Sequence, residues 1–152
     1  FVLSPKVNAA LPFGGEGGLG LSFGGGSTTF NISGNALLNV HKSFYVRTSL
    51  FSLSSASGGS IFSLGTGAGI DVMYFFTSLG KLTPYGFGGF AIVSGGGMST
   101  TDFRFGGGAD FVAPNPSMKF YAEASLEIVS ASFAGTSSSN TSFSIMGGVR
   151  VR

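Results

Sequence analysis

The sequence predicts an all-β chain folded as a transmembrane antiparallel up-and-down β-barrel of eight strands, with short turns at one end and longer loops at the other. Three observations carry that prediction. Apolar residues recur at every second position through nearly the whole chain, which is the period of a strand. The 152 residues are hydrophobic overall, with only 9% charged and a mean hydropathy of +0.41. Yet no apolar run approaches the ~18 residues of a membrane helix; the longest is VMYFF at 72–76. Finally, the alternating segments are long, most of them 11–13 residues. A tilted transmembrane strand needs about 9–11, whereas strands in general average about 5–6.

Taken in order, the first segment is 1–13, with Phe1, Leu3, Val7, Ala9, Leu11 and Phe13 on one face and Lys6 on the other. Residues 12–28 are rich in glycine and are expected to form a structured first loop. They carry a small alternation of their own (Leu19, Leu21, Phe23), so the alternative is that they are the true first strand. Segment 29–40 sets Phe30, Ile32, Ala36, Leu38 and Val40 against Asn31, Ser33, Asn35 and Leu37. Segment 43–54 sets Phe44, Val46, Thr48 and Leu50 against Tyr45, Arg47, Ser49 and Phe51. Segment 64–76 sets Ile70, Val72, Tyr74 and Phe76 against Asp71 and Met73. Segment 82–93 has Tyr85, Phe87, Ala91 and Val93 on its apolar face, against Gly86, Gly88 and Phe90. Segment 103–113 sets Phe103, Phe105, Ala109 and Phe111 against Arg104 and Asp110. Segment 118–132 sets Phe120, Ala122, Ala124, Leu126 and Ile128 against Glu123 and Glu127. The last segment, 141–152, sets Phe143, Ile145, Val149 and Val151 against Arg150 and Arg152. One domain over 1–152 is expected from the length. Connections at 40–43, 77–82 and 113–117 are short; those at 54–63, 94–102 and 133–141 are longer and polar, the asymmetry of an outer-membrane barrel.

The charges decide which face points where. Those within the strand segments all lie opposite the Phe/Leu/Val/Ile set. A soluble barrel would stud its polar face with Lys and Glu; here that face is mostly Gly, Ser, Thr and Asn. It suits a narrow lumen, and the apolar face suits lipid. Buried charges in an eight-stranded barrel have to be paired. The expected interior network is Lys6, Arg47, Asp71, Arg104, Asp110, Glu123, Glu127 and Arg150. Hairpin symmetry sets Arg47 opposite Asp71 and Arg104 beside Glu127, and leaves Glu123 to meet Lys6 or Arg150. Glycines 65, 67, 69, 86, 88, 106 and 108 are expected to face inward and leave room for the arginines. Phe44, Tyr74, Phe76, Tyr85, Phe87, Phe111 and Phe120 gather near the short turns, where a membrane-interface girdle belongs.

Other functions find little support in the sequence. The net charge of +2 is scattered, with no basic patch interleaved with aromatics, so no nucleic-acid partner is expected. With no Cys and no metal-ligand spacing, neither disulfide, metal nor cofactor is expected. His41, the one histidine, is read as a polar turn residue beside Lys42 and not as a catalytic base. Glu123 and Glu127 stand about 13 Å apart on one strand, too far for the paired carboxylates of glycoside hydrolysis. FGGEGGLG and SGGGMS lack the helix and Lys of a phosphate-binding loop. No enzymatic activity is expected, because the rim offers Glu16, Asp102 and serines without a histidine.

The stretch FNISGNALLNVHKSFYVRTSLFSL resembles the second hairpin of the small eight-stranded bacterial outer-membrane barrels, the OmpA-like and opacity-porin type. TPYGFGGFAIV resembles their fifth strand. The resemblance covers most of 29–152. It implies a monomer in a bacterial outer membrane, the lipid bilayer as partner, both termini in the periplasm, and a role as anchor, adhesin, receptor or narrow channel. Any surface ligand would be taken by the extracellular loops. Such chains usually end on an aromatic residue, whereas this sequence ends MGGVRVR; one aromatic after Arg152 is expected. The start at Phe1 is expected to reflect a processed, exported product. Two functional readings remain open at this point: a structural or surface-interaction barrel with a filled lumen, and a porin-like channel for ions or small solutes.

Overall fold

The computed structural model describes residues 12–64, 69–95, 98–115 and 117–152. Among these described residues are nine antiparallel strands: β1 (Phe13–Gly24), β2 (Ser27–His41), β3 (Phe44–Ala56), β4 (Gly59–Leu64), β5 (Ile70–Phe75), β6 (Leu82–Gly95), β7 (Met98–Val112), β8 (Met118–Phe133) and β9 (Thr136–Val151). Sequence neighbours pair throughout except β4 and β5, and β1 pairs with β9 to close the ring. Strands β4 and β5 lie on the same edge of β3, one against residues 51–56 and the other against 44–48. They are two halves of a single barrel strand, so the barrel has eight.

The glycine-rich stretch 12–28, expected as a loop, is instead the first strand and the turn after it; residues 1–11 lie outside the described residues. Glycine's poor strand propensity hid this element. Its register explains the composition. A side chain at Gly18 would collide with the Tyr121 hydroxyl, and one at Gly148 would collide with the Gly17 carbonyl. The wall therefore needs bare backbone at these points of the β1–β9 seam.

The connections expected as long polar loops at 54–63 and 133–141 are strand extensions. β3 and β4 pair up to Ala56 and Gly59, and β8 and β9 pair up to Phe133 and Thr136. Two-residue turns close these hairpins. At the β1–β2 turn Gly25 and Gly26 take φ of 57° and 76°, the left-handed pair that matches strand twist. The sixteen-residue β8 and β9 rise about 40 Å along the axis at about 3.4 Å per residue and a tilt near 40°, well beyond an apolar band of about 25 Å. β1 stops at the level of Ser142, so residues 136–141 of β9 protrude above it.

The alternation gives the barrel an apolar exterior. Phe13, Leu19, Leu21, Val72, Phe90, Phe103, Phe105, Leu126, Phe143 and Ile145 are all exposed, as are Phe44, Tyr74, Phe76, Phe111 and Phe120. In solution this surface would cost on the order of 25 cal/mol per Å²; against hydrocarbon it costs nothing. Phe44, Tyr74 and Phe76 stack in succession, with centroids 4.9 and 5.0 Å apart.

Two assignments of face are corrected. In β6 the aromatic side points inward: Tyr85 and Phe87 are 2% and 6% exposed, while Phe90 and Ile92 face out. Tyr85 is thus a lumen residue and no part of the exterior girdle. No charge in 82–93 fixes the parity, and hydropathy alone selects the wrong side. Inward Gly106 and Gly108 of β7 give the rings their space, since a Cβ there would lie 2.8 Å from Phe87 and from Tyr85. The inward glycines therefore make room for rings as well as for arginines, and Gly86 and Gly88 alternate with these rings on the exterior side. Gly65 and Gly67 lie outside the described residues.

The second correction concerns Phe51. Register jumps from Asn35–Ser49 to Gly34–Phe51, leaving Leu50 as an extra residue. This bulge reverses the parity of β3. Below it Tyr45, Arg47 and Ser49 face inward; above it Ser52 and Ser54 do. Phe51 is turned to the exterior, its ring over Gly34.

Candidate functional site: the charged lumen

Period-two alternation brings the charged side chains of six barrel strands to one axis. Arg47 on β3 is 4% exposed. Its Nε donates to Asp71 on β5 at 2.7 Å, and its Nη1 donates to Glu16 on β1 at 3.0 Å and to Glu123 on β8 at 2.9 Å. Arg150 on β9 is fully buried. Its Nε donates to Glu16 at 2.6 Å and its Nη1 to Asp110 on β7 at 2.5 Å. Its Nη2 lies 3.9 Å from Glu123. Arg104 donates to Asp71 at 2.9 Å, and Arg152 donates to Asp110 through Nε at 3.0 Å. Four arginines thus meet four carboxylates, and the layer is neutral.

Neutral groups complete the bonding. The Tyr85 hydroxyl donates to Glu123 at 2.9 Å and the Asn35 amide to Glu16 at 2.9 Å. Rings cover the guanidinium faces: Arg47 lies 4.5 Å from the Phe87 centroid, Arg150 4.6 Å from Tyr85, and Arg152 3.8 Å from Phe75. Such contacts strengthen when desolvated. An unpaired charge at this depth would cost several kcal/mol; here each arginine has a carboxylate, and Arg47, Arg150 and Arg152 have a ring as well.

Around the layer packs an apolar cluster of Leu37, Tyr45, Met73, Phe75, Tyr85 and Phe87. Leu37 and Met73 are 1% and 0% exposed. Two cavities flank this plug. The one toward the two-residue hairpin turns is about 620 Å³, with Arg47, Asp71 and Glu123 at its floor. The other, at the short-turn end, is about 350 Å³ and is lined by Lys42, Lys119, Arg152, Tyr45 and Phe75. Leu37, Met73, Tyr85, Glu16 and Arg150 line neither cavity and separate the two.

The expected site residues fall as follows. Arg47 and Asp71 meet. Glu123 meets Arg47 closely and Arg150 at longer range. Asp110 joins Arg150. Lys6 lies outside the described residues. Arg104 and Glu127 are backbone partners in the β7–β8 ladder, but the pair expected between them is replaced by Arg104 to Asp71. Asp71 is 1% exposed, and a cation gains more from a carboxylate deep in low dielectric than from one at the open end. Glu127 instead accepts a long bond from Ser142 at 3.5 Å. Sequence reasoning missed Glu16, which it set at the rim. The signal was present, because Glu16 has the parity opposite to Leu19, Leu21 and Phe23.

No family model matches the sequence, and no curated protein matches it. Among solved structures, the crystal structure of neisserial surface protein A superposes with a TM-score of 0.61 at 13% identity, covering 91% of this chain and 94% of that one. A de novo designed transmembrane β-barrel superposes with a TM-score of 0.51 at 12% identity, over 93% and 96% of the two chains. The fold is that of a small transmembrane β-barrel. At these identities the likeness concerns the backbone; what the barrel does has to be argued from its lumen and rim.

Proposed function

We propose that this barrel is a monomeric integral protein of a bacterial outer membrane. In this reading it serves as a non-enzymatic anchor that holds surface hairpins on a sealed lumen, with both termini on the periplasmic side. The observation that supports this best is the neutral layer of Glu16, Arg47, Asp71, Asp110, Glu123 and Arg150 with Arg104 and Arg152. These side chains bond to one another, and Leu37, Met73, Phe75 and Tyr85 fill the space beside them. An ion crossing it would have to break buried, charge-assisted bonds. The protruding hairpin β8–β9, with exposed Ser137, Ser138, Ser139 and Asn140, is the part offered to the outside. Reconstitution in planar bilayers tests the reading: the sealed lumen is expected to be silent, and reproducible unitary openings would overturn it.

A porin-like channel for ions or small solutes is the second reading. Its support is the pair of cavities, about 620 and 350 Å³, that approach the plug from both ends. It requires the Arg47 and Arg150 bonds to rearrange, and the same conductance measurement separates the two readings.

A further inference from the structure

The cavity of about 620 Å³ above the plug lies within the range of about 300–1,000 Å³ typical of small-molecule sites. Its charged lining is unbalanced: Arg47 and Arg104 stand against Asp71, Asp102, Glu123 and Glu127. Both arginines are committed to the layer below, Arg47 to three carboxylates and Arg104 to Asp71. Asp102 on β7 and Glu127 on β8 are left as neighbouring carboxylates in the cavity wall, and the cation that acts on Asp102, Arg104, is itself turned to Asp71. The Oδ1 atom of Asp102 is buried and receives no donor among the described residues other than a proton shared with Glu127. A buried acceptor without a donor costs on the order of 1–3 kcal/mol, and a ligand that brings a donor relieves that cost.

The wall that continues from Glu127 is ordered and polar. Ser22 and Ser144 bond at 2.6 Å, Asn31 donates to Ser22 at 2.8 Å, and Ser54 donates to Asn31 at 2.8 Å. The chain runs across β9, β1, β2 and β3 and lines the cavity, and a hydroxyl oxygen has two lone pairs with which to accept. A bare metal ion suits this wall badly. It needs about six converging oxygens at about 2.3 Å, and among the described residues no group of three Asp, Glu, His or Cys could hold one. The space, the two carboxylates and the hydroxyl ladder ask instead for an ammonium group on a small hydroxylated body.

We propose that the outer half of the lumen is a binding site for a small hydroxyl-bearing organic amine, of the amino-sugar class. Asp102 and Glu127 take the ammonium group, and the ladder of Ser22, Asn31, Ser54 and Ser144 takes the hydroxyls. The site stands on its own cavity and does not depend on whether the plug conducts.

The test uses the folded barrel in detergent micelles and isothermal titration calorimetry with glucosamine, at about 0.15 M salt to screen non-specific attraction. N-acetylglucosamine, which has the same ring without the charge, is the control. Saturable one-to-one binding of glucosamine is expected, with N-acetylglucosamine and the D102N/E127Q variant each weaker by about tenfold or more. The variant's gel mobility with and without boiling establishes that it is folded, and Glu127→Gln alone serves if the double variant is not. The proposal is overturned if glucosamine gives no saturable heat, if the amine and its acetylated form bind alike, if the folded variant binds as the parent does, or if calcium binds in place of the amine.

Discussion

Replacing Arg47 by Met keeps most of the side chain's volume and removes its charge, so the substitution tests the ion layer directly. Arg47 donates to Glu16, Asp71 and Glu123, and its side chain is 5% exposed. After the change Asp71 keeps Arg104, Glu16 keeps Arg150, and Glu123 keeps Tyr85. No carboxylate is wholly abandoned, but the layer then holds four carboxylates against three cations. Breaking a buried pair costs about 3–5 kcal/mol, and the surviving partners argue for the lower end, about 3 kcal/mol. That corresponds to roughly 150-fold in the folding equilibrium. Urea titration of the barrel in lipid vesicles, read by gel mobility of the folded and unfolded forms, measures it. The pair R47M/D71N removes one charge of each sign and restores neutrality. It is expected to be less destabilised than the sum of the single variants by about 1 kcal/mol or more. A single variant within about 0.5 kcal/mol of the parent, or a double variant at or beyond additivity, would refute the reasoning.

Three further outcomes follow from the packing. Phe105 faces the exterior, 50% exposed, and Phe105→Arg is expected to destabilise by about 2–4 kcal/mol near the bilayer midplane, measured by the same urea titration. Gly108→Ala should cost about 1–3 kcal/mol by overpacking, because its Cβ would meet the Ala122 carbonyl and lie 2.8 Å from Tyr85; a shift in the urea midpoint reports it. Tyr85→Phe removes the hydroxyl that bonds Glu123 and receives Arg150. A loss of about 1.5–3 kcal/mol is expected for a hydrogen bond to a charged group, and a girdle tyrosine facing headgroups would give almost none.

Most of the barrel was legible because its two environments differ so sharply. Where a strand carries a charge, as with Asp71, Arg104, Glu123 or Arg150, the charge and the apolar set agree on parity, and the face follows. Where a strand carries none, only hydropathy is left to fix the face. β6 was assigned by hydropathy, and hydropathy cannot tell a ring facing lipid from one packed over a guanidinium. The lumen of a narrow barrel is both polar and tightly filled, so Tyr85 and Phe87 are at home there. β1 failed for a different reason. Its glycines read as a loop because strand propensity is a statement about side chains, and at Gly14, Gly18, Gly20 and Gly24 the opposite strand or Tyr121 lies too close for any. Phe51 was lost to a bulge, which parity counting cannot foresee. The partner exchange at Arg104 lies beyond one-dimensional reasoning altogether. Register places it beside Glu127, but depth decides where its charge is worth most.

That preference for depth also sets the order of layers along the axis. Were Arg104 to pair with Glu127, Asp71 would rely on Arg47 alone, while Arg47 also serves Glu16 and Glu123. The buried layer would then carry excess negative charge where screening is weakest. Lending Arg104 downward moves the imbalance to Asp102 and Glu127, beside an open cavity where water and solutes can offset it. The sealed plug and the anionic vestibule are therefore one electrostatic arrangement. Neutrality inside the membrane is obtained by displacing the unmatched carboxylates toward the end of the barrel where a soluble cation can reach them.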